Sequence, residues 1–377
     1  MKNSVIRFIS FLFIVSCSGN VTEKSKNDEP AIQQWLTLAG ENDKPNVVLI
    51  SGDEEYRSEE ALPMLAKILN AHFGFNCTVL FAQDPETPGL INPNYLNHIP
   101  GLENLEKADL MIMFTRFRAL PDDEMKYIDQ YLLAGKPVIG IRTATHAFDF
   151  RDTTFESSYR HYSNFYDGDD EWKGGFGQFI LGEKWISHHG DHRGQSTRGI
   201  PVQGEENHPI LNGINPGDIW GPSDVYGVRL PLPGDSEPIV LGQVIEHVLP
   251  YDEDDPFYGL RPTDSVLATK KIIKNRREGT ETVINPNDPM MPIAWVKSYQ
   301  LDGGARGKVF TSTIGSSTDL VNEGVRRLMV NATFWLLDLE IPDKANVDIV
   351  GTYEPSAFDF KDPDYWIRKN LKVSDLQ

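Results

Sequence analysis

The sequence predicts an α/β fold: a doubly wound, mostly parallel β-sheet with a loop-rich insertion. Three patterns indicate this fold class: nearly continuous apolar segments of strand length, amphipathic helical segments between them, and a central stretch rich in Gly, Pro, His and aromatic residues. Strands buried on both faces are apolar along their whole length, and parallel strands need helical crossovers. We therefore expect helices on both faces of one large sheet.

The predicted elements of the first half alternate regularly between strand and helix. The helix over 59–73 carries Leu62, Leu65 and Leu69 at helical spacing and ends at Gly74, a residue suited to a C-terminal cap. The helix over 121–134 opens with acidic residues, which the helix dipole favours there. Strands are predicted around these helices at 46–51, 78–82, 108–114 and 138–141.

The second half departs from this pattern and then returns to it. Residues 151–291 form the expected insertion, with a strand candidate at 239–245. Strands at 292–296 and 308–314 and a helix at 323–338 follow it. We therefore expect one domain over 45–342, followed by a C-terminal extension over 343–377.

The amino terminus predicts an export signal. A basic start precedes a short apolar run, and Ile14-Val15-Ser16-Cys17 resembles a bacterial lipobox. The run is shorter than the roughly 20 residues that span a membrane. We expect a lipoprotein signal peptide over 1–17, lipidation at Cys17 and a tether over 18–44, with the body outside the cytoplasm at the cell envelope. A plain secretory signal with an incidental cysteine is the alternative.

Charge and cysteine content exclude two classes of protein. The net charge of −19 repels phosphate backbones, so nucleic acid is not an expected partner. The chain has 2 cysteines, and with Cys17 lipidated Cys77 has no partner for an internal disulfide. Membrane contact is expected through the lipid only.

Polar side chains follow three of the predicted strands where each ends. They lie in segments 53–57, 116–118 and 142–146. Ligands of doubly wound sheets bind outside the carboxyl ends of the strands. These segments, with the His-rich stretch of the insertion, are therefore the predicted functional site.

Residues 137–146 have the pattern of a strand, a sharp turn and a helix start, and so resemble the nucleophile elbow of the class I glutamine amidotransferase-like fold, a flavodoxin-like architecture. Arg142 stands at the nucleophile position, and a guanidinium cannot attack a carbonyl. Cysteine-dependent glutaminase chemistry is therefore excluded, and Arg142 is expected to bind an anion or a hydroxyl group.

The chain resembles the ThuA-like (trehalose-utilisation) family from about residue 45 to 342. The matching segments, in order, are Gly140-Ile141-Arg142, His188-His189-Gly190, 207–211, 223–226, 292–295 and 307–310. The resemblance implies a sugar ligand, a glycoside or keto-sugar. Arg142 replaces the family's usual His, and Ile314-Gly315-Ser316 stands where Gly-His is usual, so an enzyme and a non-catalytic sugar-binding or scaffold lipoprotein both remain open.

The predicted site residues combine these patterns. His146 and His189 are the acid–base candidates; the expected substrate contacts are Tyr56, Arg57, Arg116, Arg142, Asp224 and Tyr226. No cofactor is expected, and the alternative is a divalent metal held by His188, His189 and His192. The aromatic residues of the insertion either stack on a sugar or fill its core: Tyr162, Tyr166, Trp172, Trp185 and Trp220.

Overall fold

A ten-stranded mixed sheet organises residues 32–275 and 279–377, which this computed structural model describes. The strands of the described residues are, in chain order, β1 (Trp35–Leu38), β2 (Asn46–Gly52), β3 (Asn76–Phe81), β4 (Leu110–Thr115), β5 (Val138–Ile141), β6 (Ser187–His188), β7 (Gln195–Pro201), β8 (Trp220–Gly221), β9 (Tyr226–Gly227), β10 (Glu237–Glu246), β11 (Lys271–Asn275), β12 (Thr280–Ile284), β13 (Met291–Gln300) and β14 (Arg306–Ser312). The order in the large sheet is β1-β3-β2-β4-β5-β14-β13-β10-β7-β8.

The α-helices of the described residues come after β2, β4, β5 and β14 in the chain. They are α1 (Ser58–Phe73), α2 (Asp122–Leu133), α3 (Gly175–Phe179), α4 (Glu323–Leu336) and α5 (Tyr365–Lys369). The predicted strands and helices at 46–51, 59–73, 78–82, 108–114, 121–134, 138–141, 308–314 and 323–338 are all confirmed within a few residues.

The sheet is only half parallel, which corrects the expectation of a mostly parallel one. Strands β3, β2, β4, β5 and β14 pair in parallel, whereas β1 at one edge and β13, β10, β7 and β8 at the other pair antiparallel. For β13 and β14 the reason is their short connection, which spans only residues 301–305. A parallel return would need a crossover of a dozen residues or more.

Helices cover both faces of the parallel strands. Val47 and Leu49 of β2 belong to one buried cluster, which includes α1 and α4. Val48 and Ile50 belong to the other, which includes α2. Alternate side chains of β2 thus enter two separate cores, and this explains why its central residues 47–50 are all apolar.

The folded unit extends beyond the expected domain at its amino-terminal end. Residues 35–38, inside the predicted tether, form edge strand β1 and pair with β3, so the sheet begins before residue 45. The predicted signal peptide and Cys17 lie outside the described residues. Within residues 32–275 and 279–377, no helix is both long and apolar enough to cross a membrane. Strands β7, β8 and β10, which come from segment 151–291, extend the same sheet.

The C-terminal extension packs onto the body through Arg57. The Arg57 guanidinium is buried, donates to the carbonyl oxygens of Ala357 and Asp359, and lies 5.3 Å from the ring centre of Trp366. Trp366 is itself fully buried. Arg57 was expected to contact substrate; in this structure the extension covers its side chain, and its donors face protein carbonyl oxygens.

Glu59 is a buried carboxyl beside Arg57, with 3.9 Å between Arg57 Nη1 and Glu59 Oε1. Neither carboxyl oxygen has a hydrogen-bond partner among the described residues. Burial raises the pKa of Glu59 from 4.5 to about 7, although Arg57 acts to lower it. The carboxyl group is therefore easier to bury when protonated.

We predict that Glu59 makes the fold less stable as the pH rises. Because its folded-state pKa lies above the unfolded value, the stabilisation is fully present below pH 4.5 and is lost as the pH rises through about 7. The Glu59→Gln variant should lose less stability between pH 5 and pH 8, by up to roughly 3 kcal/mol. Urea unfolding at the two pH values measures this, and the exposed control Glu86→Gln should follow the wild type. Equal pH dependence in Glu59→Gln and wild type would contradict the prediction.

Candidate functional site

The carboxyl ends of β2, β4 and β5 place three polar segments side by side. These strands are parallel neighbours, so residues 53–57, 116–118 and 142–146 meet at one edge of the sheet. The insertion reaches the same edge through a two-residue bridge, in which β6 pairs with β9. That bridge brings His188 to Asp224, although the two residues are 36 positions apart in the chain.

The predicted sharp turn after β5 is confirmed. Strand β5 ends at Ile141, and a 3₁₀ helix begins at Arg142. Arg142 has φ 47°, in the left-handed region that a residue with a Cβ rarely adopts. Such backbone strain persists only where surrounding contacts hold it in place.

Those contacts bury Arg142 completely. Its Nη1 donates to the carbonyl oxygens of Asp224 and Thr313, at 2.6 Å each. Its Nη2 donates to Asp224 Oδ1 at 2.9 Å and to the Tyr56 hydroxyl at 3.1 Å. The guanidinium also lies 3.8 Å from the ring centre of Tyr226 and 4.4 Å from that of Tyr56. Arg142 was expected to bind a ligand, but its guanidinium donates to protein groups instead. The turn points the side chain inward, where its charge balances the buried charge of Asp224.

Asp224 connects Arg142 to two histidines. Its Oδ2 lies 2.8 Å from His188 Nδ1 and its Oδ1 lies 3.3 Å from His192 Nδ1. Burial acts to raise the pKa of Asp224, but Arg142, His188 and His192 outweigh it and hold that pKa well below its ordinary value. Asp224 is therefore a carboxylate, and it contacts protein groups from three separate segments.

Glu55 and Arg116 lie on the other side of His192. Glu55 Oε1 is 3.6 Å from His192 Nε2, and Glu55 Oε2 is 3.4 Å from Arg116 Nε. Burial, and then the charge of Asp53, raise the pKa of Glu55 to about 8, while Arg116 and Arg142 act to lower it. Arg116 lies between the rings of Phe117 and Phe360. The sequence places Glu55 in a polar segment but does not distinguish it from its neighbours.

The two predicted acid–base histidines are not brought together. His146 is buried, with the rings of Phe117 and Trp185 centred 4.9 and 5.4 Å away. Burial, with Arg116, Arg142 and His188, lowers the pKa of His146 well below its ordinary value, so its imidazole is neutral. His189 instead directs Nε2 to the carbonyl oxygen of Pro286, at 2.8 Å.

The residues that the structure brings together as possible metal ligands differ from the three histidines expected from the sequence. Among the described residues, His188, His192 and Asp224 are the groups whose ligand atoms all lie within 4.8 Å of one another. His189 takes no part, because adjacent residues of an extended segment point in opposite directions. Asp224 takes its place, which the sequence could not indicate because the approach depends on β6 and β9.

The aromatic residues of the insertion divide between core and site. Tyr162 and Trp172 pack against each other in the second core, and Trp220 is buried with its Nε1 donating to Ser196 Oγ. Trp185 is half-buried, and its ring lies 5.4 Å from that of His146 and 5.7 Å from that of His188. Of these side chains, Trp185 is therefore the one that lies beside the site histidines His146 and His188.

A cavity of about 820 Å³ lies at the opposite edge of the sheet. It is lined by residues 39–41, 43–45 and 70–75, at the amino ends of β2 and β3. None of the groups around Asp224 lines it. This cavity is therefore separate from the polar groups at the carboxyl edge.

Comparison with known proteins gives only distant structural similarity. No protein-family model matches the chain, and no curated protein matches it. A thua-like protein from Bacteroides uniformis is 16% identical with a TM-score of 0.42, over 79% of this chain and 94% of that one. One from Parabacteroides merdae is 12% identical with a TM-score of 0.44, over 84% and 98%. At these values the likeness carries no conclusion about family or activity.

We predict that removing Arg142 destabilises the whole fold. In Arg142→Met the carboxylate of Asp224 stays buried without its main counter-charge, which typically costs about 3–5 kcal/mol. The matched control is Arg151→Met, because Arg151 forms an exposed pair with Asp149 at 2.7 Å, and such pairs contribute about 0–1 kcal/mol. Urea unfolding of both variants gives the comparison. Similar losses in the two would show that the buried pair is not a main support.

Proposed function

We propose that this protein is a ThuA-like protein that acts on a sugar, a glycoside or keto-sugar, at the cell envelope. One observation carries the proposal: segments far apart in the chain place hydrogen-bonding groups and an indole ring at one sheet edge. Arg116, His188 and His192 are partly exposed, and the indole of Trp185 lies beside His188. Glu55 is buried in contact with Arg116 and His192.

This combination matches the chemistry of a sugar ring. A sugar presents hydroxyl groups at its rim and an apolar face of C–H groups, which an aromatic ring can cover. The His188 side chain is 34% exposed and that of Arg116 is 19% exposed, so both reach solvent. Phe165 and Phe360 are exposed beside the cluster. They supply further apolar surface to a ligand longer than one ring.

We further propose that the body has the class I glutamine amidotransferase-like fold, and the strand order supports this. Numbered along the chain, the parallel strands β3, β2, β4, β5 and β14 have the order 2-1-3-4-5. This is the flavodoxin-like order, in which ligands bind at the carboxyl edge. The strained turn at Arg142 occupies the place of a nucleophile elbow.

The site residues then have distinct roles. Arg142, Tyr56 and Tyr226 are positioning residues, because their contacts hold Asp224 and the histidines. Arg116 binds a sugar hydroxyl, and neutral His146 is the acid–base candidate retained from the sequence. His189 has no side-chain hydrogen bond to these groups among the described residues, and we assign it no role in this proposal.

A non-catalytic sugar-binding protein is the second candidate, and the turn at Arg142 favours it. The residue at the elbow is buried and bonded to protein groups, so the turn presents no nucleophile. Ser316, the other departure from the family pattern, is buried and donates its backbone N–H to Asp319. Both positions therefore support the structure of the edge.

We predict that a sugar stabilises the full chain through Trp185. Trehalose, glucose and their 3-keto forms are tested by thermal unfolding, since a ligand at 100 times its Kd adds about 2.7 kcal/mol. Trp185→Leu should abolish the rise in Tm, whereas Trp335→Leu, an equally half-buried indole on α4, should retain it. Product formation in the same samples indicates an enzyme, and unchanged sugar indicates the binding protein. No rise with any sugar, or its loss in both variants, contradicts the proposal.

We predict that Cys17 anchors the chain to a membrane. A bacterial cell producing the full chain should hold it in the membrane fraction, and Cys17→Ser should release it because the acyl chains have no attachment point. Fractionation and incorporation of labelled palmitate measure the two effects. Labelling that persists in Cys17→Ser would show that the lipidation assignment is wrong.

A further inference from the structure

We propose that His188, His192 and Asp224 form a binding site for a divalent transition-metal ion of the zinc class. The inference concerns these three side chains and not the histidine run as a whole, since His189 faces Pro286. Their ligand atoms lie within 4.8 Å of one another.

The distances from Asp224 to the two histidines are close to the edges of a coordination shell. Metal–ligand bonds of about 2.1 Å at angles between 90° and 109° place neighbouring ligand atoms roughly 3.0–3.4 Å apart. Asp224 Oδ2 and His188 Nδ1 are 2.8 Å apart, and Asp224 Oδ1 and His192 Nδ1 are 3.3 Å apart. These two distances involve different carboxylate oxygens, so an ion shared by all three side chains draws their ligand atoms towards one point from within 4.8 Å of one another.

The surrounding contacts hold the ligands in place. Arg142 donates to Asp224 at both its carbonyl oxygen and Oδ1, which fixes the carboxylate and leaves Oδ2 directed at His188. Lys271 Nζ donates to the carbonyl oxygens of His188 and Gly190, at 3.0 and 2.8 Å, and so fixes the histidine segment. Partners of this kind orient metal ligands and strengthen binding.

The site is open on one side. The side chains of His188 and His192 are 34% and 22% exposed, while Asp224 is buried. Three protein ligands with a solvent-accessible position are typical of catalytic metal sites, whereas structural sites are closed by a fourth ligand. Imidazole and carboxylate together suit zinc and its neighbours, and the chain's net charge of −19 attracts cations.

An ion bound by His188 would lie close to Trp185, because the ring centres of these two residues are 5.7 Å apart. It can bind a carbonyl or hydroxyl oxygen of a sugar that stacks on the indole, which favours a keto-sugar over a simple glycoside. This use of the ion rests on the proposed function, whereas binding of the ion does not.

The test measures metal binding by the full chain, with no substrate present. After dialysis against chelator, Zn²⁺ and Co²⁺ are titrated by calorimetry, and the absorption of bound Co²⁺ reports nitrogen and oxygen ligation. We expect one ion per chain, bound at least about tenfold more weakly by His188→Gln and by His192→Gln. His189→Gln is the matched control and should bind as the wild type does. The melting temperature of each variant shows that it is folded, and the partial exposure of these histidines makes their substitution mild.

Each outcome decides the inference. One ion lost with His188 and His192 but not with His189 supports it. Equal weakening in His189→Gln, or no stoichiometric ion in the wild type, overturns it and leaves the cluster as hydrogen bonds between Asp224 and two imidazoles. A sugar-dependent rise in Tm that persists without metal would keep the proposed function while the metal site fails, so the two ideas fail separately.

Discussion

The buried ion pair between Arg142 and Asp224 is the interaction on which the carboxyl edge depends. Both side chains are fully buried, and a lone charge at either position would be strongly unfavourable. The pair joins the turn after β5 to the segment before β9, and the rings of Tyr56 and Tyr226 enclose it. The left-handed backbone of Arg142 directs the guanidinium to this point. Both site histidines, His188 and His192, contact the carboxylate of that pair.

Much of the fold follows from local sequence, and the part that does not has a physical explanation. The parallel strands contain continuous apolar stretches because two cores enclose them, and these stretches make the strands visible in the sequence. The pairing direction of β13 and β10 is not visible, since it depends on which strands meet. Strand β1 has only four residues, Trp-Leu-Thr-Leu, and follows a polar segment, so it is too short to stand out as a strand in the sequence.

The position of the site can be predicted from the sequence, but the residues that form it cannot. Polar residues after β2, β4 and β5 mark the edge, since parallel neighbours end together. The choice among adjacent histidines depends on a pairing of two residues, β6 with β9, which no periodicity reveals. Arg57 and Arg142 are arginines at strand ends, as ligand clamps often are, yet both are buried against carbonyl oxygens. The positive charge of an arginine at this edge therefore does not show whether the side chain binds a ligand or stabilises the fold.

The C-terminal extension completes the carboxyl edge from outside the sheet. The ring of Phe358 packs against those of Tyr56 and His192, with ring centres 5.1 and 5.4 Å apart, and Trp366 covers Arg57. None of the strands of the large sheet belongs to this extension. A chain cut before residue 357 would therefore keep every strand of the sheet, but it would leave an arginine uncovered and a site histidine without its aromatic neighbour.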